Sequence, residues 1–196
     1  PDRRGALSRA AGVMALNSLR VHSASVNSYQ GSAIDTFVVS PHFGSPPAAE
    51  LLRQQLILAL DGELDVMGTL EQRDNDAAAS KGRAGDIPDA VPVNRVSAPS
   101  RILWHDGPAP DPPVVESRAM DRPGLLARLT GVFERAGVDI SWAKVTTLGA
   151  TVVDAFGIVV PPLAQGDIRE SLERDLFAVL PTPPPAKPGS NADVAG

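Results

Sequence analysis

The sequence predicts an α+β protein built from two diverged copies of one module, each with a helix followed by two strands and a second helix. The first observation behind this prediction is an internal repeat, because Asp2–Val39 aligns without a gap with Asp121–Ile158 and shares eleven of thirty-eight residues. Unrelated segments of this length share about two or three, so a duplication explains the match better. The second observation is that each copy places a helical apolar pattern before two segments rich in β-branched residues.

The first element of each copy is an amphipathic helix, which is clearest in the second copy. Its apolar residues recur at helical spacing, and Arg128, Glu134 and Arg135 lie on the other side. Pro123 suits the first turn of this helix, and Gly137 suits the left-handed position that ends it. The apolar residues are Leu125, Leu126, Leu129, Val132, Phe133 and Ala136.

Two strands follow the helix in the second copy. Val138–Thr147 and Thr151–Val160 are rich in apolar and β-branched residues, and the Leu148-Gly149-Ala150 segment between them predicts a hairpin. Ahead of the helix, Val114–Met120 can supply a leading strand. The second copy is therefore expected to have the order βαββα.

A second helix follows the hairpin in each copy, because apolar residues again share one helical face. These residues are Leu52, Leu56, Ala59 and Leu60 in the first copy, and Ile168, Leu172, Leu176, Val179 and Leu180 in the second.

The chain divides into five segments. Residues 1–71 form the first module, which lacks a leading strand, and we expect its N-terminus to be truncated. Residues 72–99 are rich in Asp, Ala, Gly, Ser and Pro with little apolar periodicity, which predicts a flexible insertion. Residues 100–112 contain a possible closing strand of the first module. Residues 113–180 form the second module, and the proline-rich residues 181–196 predict a disordered tail.

Charge and composition disfavour several classes of function. The chain has 18 Lys and Arg residues against 23 Asp and Glu, and the cationic residues are scattered, which argues against a nucleic-acid partner. Because cysteine is absent, disulfides and thiolate metal sites are excluded. No apolar stretch approaches the roughly 20 residues of a membrane span. We therefore expect a cytoplasmic protein that does not contact a membrane.

The sequence also lacks catalytic and metal-binding motifs, so we predict no catalytic residue, no metal ligand and no cofactor in this chain. His105 and Asp106 form a His-Asp pair, but a metal-dependent phosphohydrolase needs several such ligands from different helices. The paired carboxylates and the phosphate-binding glycine loop of a nucleotidyltransferase are missing as well. These absences disfavour the alternative that the chain retains transferase or hydrolase activity.

Several motifs of the second copy occur in a fixed order. Asp-Arg-Pro-Gly-Leu-Leu begins at Asp121, Gly-Val-Asp-Ile at Gly137, Lys-Val-Thr-Thr at Lys144 and Val-Val-Asp-Ala-Phe at Val152. This series resembles the ACT domain, an amino-acid-sensing module. The tandem arrangement with a long insertion resembles the C-terminal regulatory region of the PII uridylyltransferase/uridylyl-removing family. The resemblance is specific in the second copy and weaker in the first.

The resemblance implies two ferredoxin-like βαββαβ modules, each with helices on one face of an antiparallel sheet. It also implies a sensor, because glutamine binding in that family shifts an attached nucleotidyltransferase and hydrolase between modifying and demodifying the PII protein. The expected partners are a small amino acid such as glutamine, PII through the parent enzyme, and other ACT modules in the same chain or another. The parent enzyme would use Mg and a nucleoside triphosphate.

Similarity to amino-acid-binding ACT domains places the ligand between the loop before the first helix and the start of the next strand. An ammonium group needs an acceptor such as Asp121, and a carboxylate is favoured by the free amides of a helix N-terminus. The alternative is that Asp121 only begins the helix and Asp139 is only a solvated turn carboxylate. The expected ligand-binding residues are Asp121, Pro123, Gly124, Leu125, Asp139, Ile140 and Ser141.

The first copy has weaker equivalents of this site, which are Asp2, Gly5 and Arg20. Because Arg20 stands where the second copy has Asp139, we expect an altered or inactive first site and a larger loss of binding from Asp139→Ala than from Arg20→Ala. Asp35 and Asp154 recur on the third strand of their copies, where a structural role at a sheet edge is expected.

A structural ACT pair that dimerises or docks domains without a ligand is the second interpretation of the chain. The strand that begins at Thr151 is apolar on both faces. One face is expected to meet the helices and the other to meet another module. The sequence leaves open whether modules pair within one chain or between chains.

Overall fold

Both copies form the helix, hairpin and second helix that the sequence predicts, which confirms the α+β class. A computed structural model describes residues 4–29, 32–83, 99–107, 111–160 and 168–181. The helices of this part of the chain are α1 (Ala6–Leu16), α2 (Ala49–Leu60), α3 (Val66–Arg83), α4 (Leu125–Arg135) and α5 (Ile168–Val179). Its strands are β1 (Leu19–Tyr29), β2 (Ser32–Pro41), β3 (Arg101–His105), β4 (Val114–Met120), β5 (Asp139–Leu148) and β6 (Thr151–Val159).

The two modules share one antiparallel sheet of six strands in the order β2-β1-β5-β6-β4-β3. The β1–β5 pair joins them, with Ser23 opposite Thr146 and Asn27 opposite Trp142. On the helical side, α1 of the first copy contacts α4 of the second. The pairing of modules that the sequence left open therefore occurs within the chain, edge to edge.

The second module is the more complete of the two. Its predicted leading strand, β4, pairs along its whole length with β6, from Val114 opposite Gly157 to Met120 opposite Thr151. The resulting strand order β5-β6-β4-β3 matches a four-stranded ferredoxin-like sheet. The fourth position is filled by β3, which precedes β4 in the chain.

The prediction that residues 100–112 close the first module is wrong. Arg101–His105 pairs with β4 at the edge of the sheet opposite to the first module. The connection between β3 and β4 is short, and a short connection favours an antiparallel pair of neighbours. A strand that lies between two copies in the sequence can pair with the sheet of either copy. Its hydrogen-bonded partner in the structure shows which copy it joins.

The core lies between the sheet and the helices. Alternate residues of β6 are buried on the helical face, including Phe156, whose ring centroid lies 5.2 Å from that of Phe133 on α4. Val153 and Ala155 on the opposite face are half-buried. The two modules of this chain meet through strand edges. That the other face meets a module stays a prediction for contacts between chains.

Helix α3 extends through residues 72–83, where the sequence predicts an unstructured insertion. Its first turns are anchored by the buried Val66 and Leu70 and by a 2.7 Å ion pair between Asp74 and Arg128 of α4. The residues from Glu71 to Ser80 are exposed. Because an exposed helix needs no apolar stripe, apolar periodicity misses it. Residues 84–98 and the predicted tail from residue 182 lie outside the described residues.

Amides of the first hairpin are expected to exchange with solvent faster than those of the second. In the described part of the chain, β2 pairs with β1 alone, whereas β6 pairs with both β5 and β4. The equivalent residues Val39 and Ile158 are 37% and 0% exposed. Native-state hydrogen exchange measures the difference. Equal or greater protection of Leu19–Ser40 relative to Val138–Val160 would contradict this expectation.

Candidate functional site

A cavity lies at the junction of the two copies, beside the predicted ligand loop. The second copy contributes the loop from Asp121 to Gly124 and the start of α4. The first copy contributes the start of β1, the inner side of α1 and His42. Neither module forms this cavity alone.

The loop before α4 forms the polar wall of the cavity. Asp121 is held at the hairpin of its own module, because its amide donates a 2.8 Å hydrogen bond to the Ala150 carbonyl. Gly124 begins α4 at a φ of +75°, and a Cβ there would lie 3.3 Å from Leu70 Cδ1. Among the described residues, no side chain caps α4. The site therefore combines a carboxylate with the N-terminus of a helix, which favours an anion.

Arg20 and Asp121 meet across the module boundary. Arg20 Nε lies 2.7 Å from Asp121 Oδ2, and the Asp121 side chain is 15% exposed. The sequence assigned Arg20 to a separate, weaker site of the first copy. The structure instead brings its guanidinium to the acceptor of the second copy. No sequence signal indicates this contact, because it depends on how the modules pair.

Asp154 lies at the inner wall of the same cavity. Asp154 is 1% exposed, and its Oδ1 atom has no hydrogen-bond partner among the described residues. Burial, followed by the charge of Asp121, raises the pKa of Asp154 to about 7. The expected role at a sheet edge is wrong, because β6 is an interior strand. The signal in the sequence was an aspartate among apolar strand residues, which needs a reason to be buried.

Asp139, Ile140 and Ser141 do not line this cavity. Asp139 is exposed and accepts a hydrogen bond from the Ile140 amide, and Ser141 Oγ donates to the Gly157 carbonyl. These three residues lie at the beginning of β5. Asp121 lies beside the opposite end of β5, next to the turn of the hairpin. Ten strand residues span about 30 Å, so one ligand does not reach both ends. Because β1 pairs antiparallel with β5, Arg20 at the start of β1 lies beside Asp121, where Asp139 was expected.

The equivalent site of the first copy is filled by Glu134. Asp2 lies outside the described residues, and Gly5 begins α1 at a φ of +81°. Beside it, Glu134 accepts hydrogen bonds from Ser8 Oγ at 2.8 Å and Arg9 Nη1 at 2.7 Å. The repeat places Ala15 at the position equivalent to Glu134, and Ala15 lines the open cavity. Glu134 therefore occupies space beside Gly5 that the small Ala15 leaves open beside Gly124.

The His-Asp pair of the sequence takes part in surface contacts. His105 Nε2 lies 3.6 Å from Glu116, and Asp106 accepts from Arg169 at 3.2 Å. Over the residues that the structure describes, no group of three or more His, Cys, Asp or Glu side chains is placed to hold a metal ion. In the same residues, no helix is long and apolar enough to cross a membrane.

The fold and the cavity define a tandem pair of ferredoxin-like modules with a pocket between them. Over 181 residues, or 92% of the chain, the sequence is 58% identical to the bifunctional uridylyltransferase/uridylyl-removing enzyme of Mycobacterium tuberculosis. It is 37% identical over 189 residues to the enzyme of the same name from Streptomyces coelicolor and 27% identical over 195 residues to that from Gluconobacter oxydans. No family model matches the chain.

The chain is thus homologous to one part of the bifunctional uridylyltransferase/uridylyl-removing enzymes, which confirms its predicted relation to that enzyme family. It spans about a fifth of the curated relatives that it matches, since the aligned part is 22%, 21% and 19% of their length.

Proposed function

We propose that this chain is the regulatory region of a PII-modifying uridylyltransferase/uridylyl-removing enzyme and binds a small amino acid between its two modules. Glutamine is the first candidate, from the ACT resemblance. The observation that carries the proposal is the Arg20–Asp121 ion pair beside the uncapped N-terminus of α4.

An ion pair next to a helix N-terminus complements an α-amino acid, whose ammonium and carboxylate groups are both bonded to one carbon. The ligand carboxylate would take the place of Asp121 opposite Arg20 and face the N-terminal end of α4. Its ammonium group would take the place of Arg20 opposite Asp121. Each charge of the pair is then matched by one charge of the ligand, so neither is left unpaired in a half-buried site.

The wider role rests on the relatives. Their names describe enzymes that add and remove uridylyl groups, and the matched part is about a fifth of their length. We propose that the remainder of such a parent enzyme uses Mg and a nucleoside triphosphate to modify PII. This chain would act by coupling its ligand to those domains, with ACT modules of this chain or another as contacts.

A calorimetric titration of the chain with a panel of amino acids tests the binding site. Glutamine is expected to bind, and Arg20→Ala is expected to weaken binding about ten- to a hundredfold, because a charge-assisted hydrogen bond contributes about 1.5–3 kcal/mol. Asp139→Ala is the matched control, since Asp139 holds the equivalent position of the other copy and lies outside the cavity. It is expected to change affinity less than about twofold. This order reverses the sequence prediction.

Two results would contradict the sensor proposal. One is a lack of binding by every amino acid at millimolar concentration, and the other is an equal effect of the two substitutions. The structural pair is then the better interpretation. The β1–β5 pair and the α1–α4 contact support it, because they join the modules without a ligand.

A further inference from the structure

The carboxyl group of Asp154 has no role in the ion pair described above, yet it lines the same cavity. It is buried on β6, and its Oδ1 atom has no partner among the described residues. Opposite it on β4, Ser117 is also buried and its Oγ atom has no partner. Buried polar atoms without partners are uncommon in folded proteins, and each calls for an explanation.

The charged surroundings of Asp154 indicate what it can bind. Asp121, Arg20, Arg122 and His42 line the cavity with it. Arg20 Nε pairs with Asp121, and Arg122 Nη2 donates to the Val179 carbonyl while its Nε is buried without a partner among the described residues. In that part of the chain, neither guanidinium is hydrogen-bonded to Asp154. The strand neighbours Val145 and Ser117 carry no charge. Asp154 therefore faces the cavity without an ion-pair partner among the described residues, and a cationic group of a ligand would supply one.

We propose that Asp154 is a second acceptor for the ammonium group of the ligand, so that the cavity selects molecules with a free primary amine. This inference rests on the proposed amino-acid site and adds its selectivity. The ammonium group lies between Asp121 and Asp154, while the ligand carboxylate faces Arg20 and α4. An ammonium group has three N–H donors, so it can donate to Asp121 on the loop before α4 and to Asp154 on β6 at the same time.

Proton linkage follows from the same geometry. Burial and the charge of Asp121 raise the pKa of Asp154 to about 7, so much of it is protonated at neutral pH. An ammonium group beside it lowers that pKa, and the proton of Asp154 is released to the solvent on binding. Affinity is therefore expected to rise as the pH increases from about 6 to about 8, where the free site has already lost the proton.

The test compares Asp154→Asn with Asp35→Asn in the whole chain, because Asp35 is the equivalent residue of the first copy and does not line the cavity. Calorimetry with L-glutamine is expected to show about ten- to hundredfold weaker binding for Asp154→Asn. Asp35→Asn is expected to stay within about twofold of the wild type. N-acetylglutamine, which lacks the ammonium group, is expected not to bind the wild type.

Repeating the titration at pH values of about 6, 7 and 8 separates this role from a structural one. The wild type is expected to gain affinity with pH, whereas Asp154→Asn should lose this gain. Unchanged glutamine affinity in Asp154→Asn would overturn the inference while leaving the amino-acid site in place. Equal binding of N-acetylglutamine would contradict both the inference and the placement of the ammonium group opposite Asp121. If the wild type binds no amino acid, both the proposed function and this inference fail.

Discussion

Replacing Phe156 with alanine is expected to lower the free energy of unfolding by about 3–5 kcal/mol. Phe156 is 0% exposed on β6, and its ring packs against that of Phe133 on α4 at 5.2 Å between centroids. Truncation removes this aromatic pair and leaves a cavity where the sheet meets the helices. The interior of a well-packed module fills such a cavity only in part, so most of the loss should be measurable.

Phe37 is the matched control for Phe156, because it holds the equivalent position of the first copy. It is only half-buried on β2, so Phe37→Ala should cost about 1–2 kcal/mol. Urea unfolding followed by circular dichroism gives both values. Equal losses would contradict the conclusion that the second module holds the better-packed part of the core.

The substitution Asp154→Asn is expected to raise the free energy of unfolding, by an amount that grows with pH. Burial and the charge of Asp121 raise the folded-state pKa of Asp154 from 3.8 to about 7. Because the folded state holds this proton more tightly than the unfolded chain, the wild type loses stability as the pH rises from about 4 to about 7. Asparagine does not titrate. The gain should therefore be near zero at about pH 4 and reach on the order of 4 kcal/mol at about pH 8.

Thermal and urea unfolding across this pH range measure the gain. Asp35→Asn again serves as the control, since it removes a half-buried aspartate from the equivalent strand. A gain for Asp154→Asn that does not vary with pH would contradict the raised pKa, and a loss of stability would indicate a structural need for the carboxyl group.

A carboxyl group that lowers stability at neutral pH and lines a cavity fits a residue kept for binding. Perturbed pKa values and unfavourable burial concentrate at functional sites, because the requirements of a site oppose those of stability. The same substitution is thus expected to improve folding and impair ligand binding. These opposite effects distinguish a binding role of Asp154 from a purely structural one.

Local pattern was enough to predict the elements that amphipathicity or turn residues define. The helix between Pro123 and Gly137, the hairpin around Gly149 and the leading strand Val114–Met120 all occur where the sequence predicts them. Pattern failed for α3, whose outer half is exposed. It also failed for β3, because apolar alternation shows that a segment is a strand but does not show which strand it joins.

The sequence by itself determined the duplication, the two modules and the loop that carries Asp121 and Gly124, because these depend on residues close together along the chain. Only the tertiary structure decided the partners across the module boundary. Asp139 was expected near Asp121 because the ACT resemblance places both around one ligand, but a strand of about 30 Å separates them. The β1–β5 pair brings Arg20 there instead, and the interior position of β6 buries Asp154 behind it. Contacts between distant segments follow from strand order and register, which the pattern of one strand does not specify.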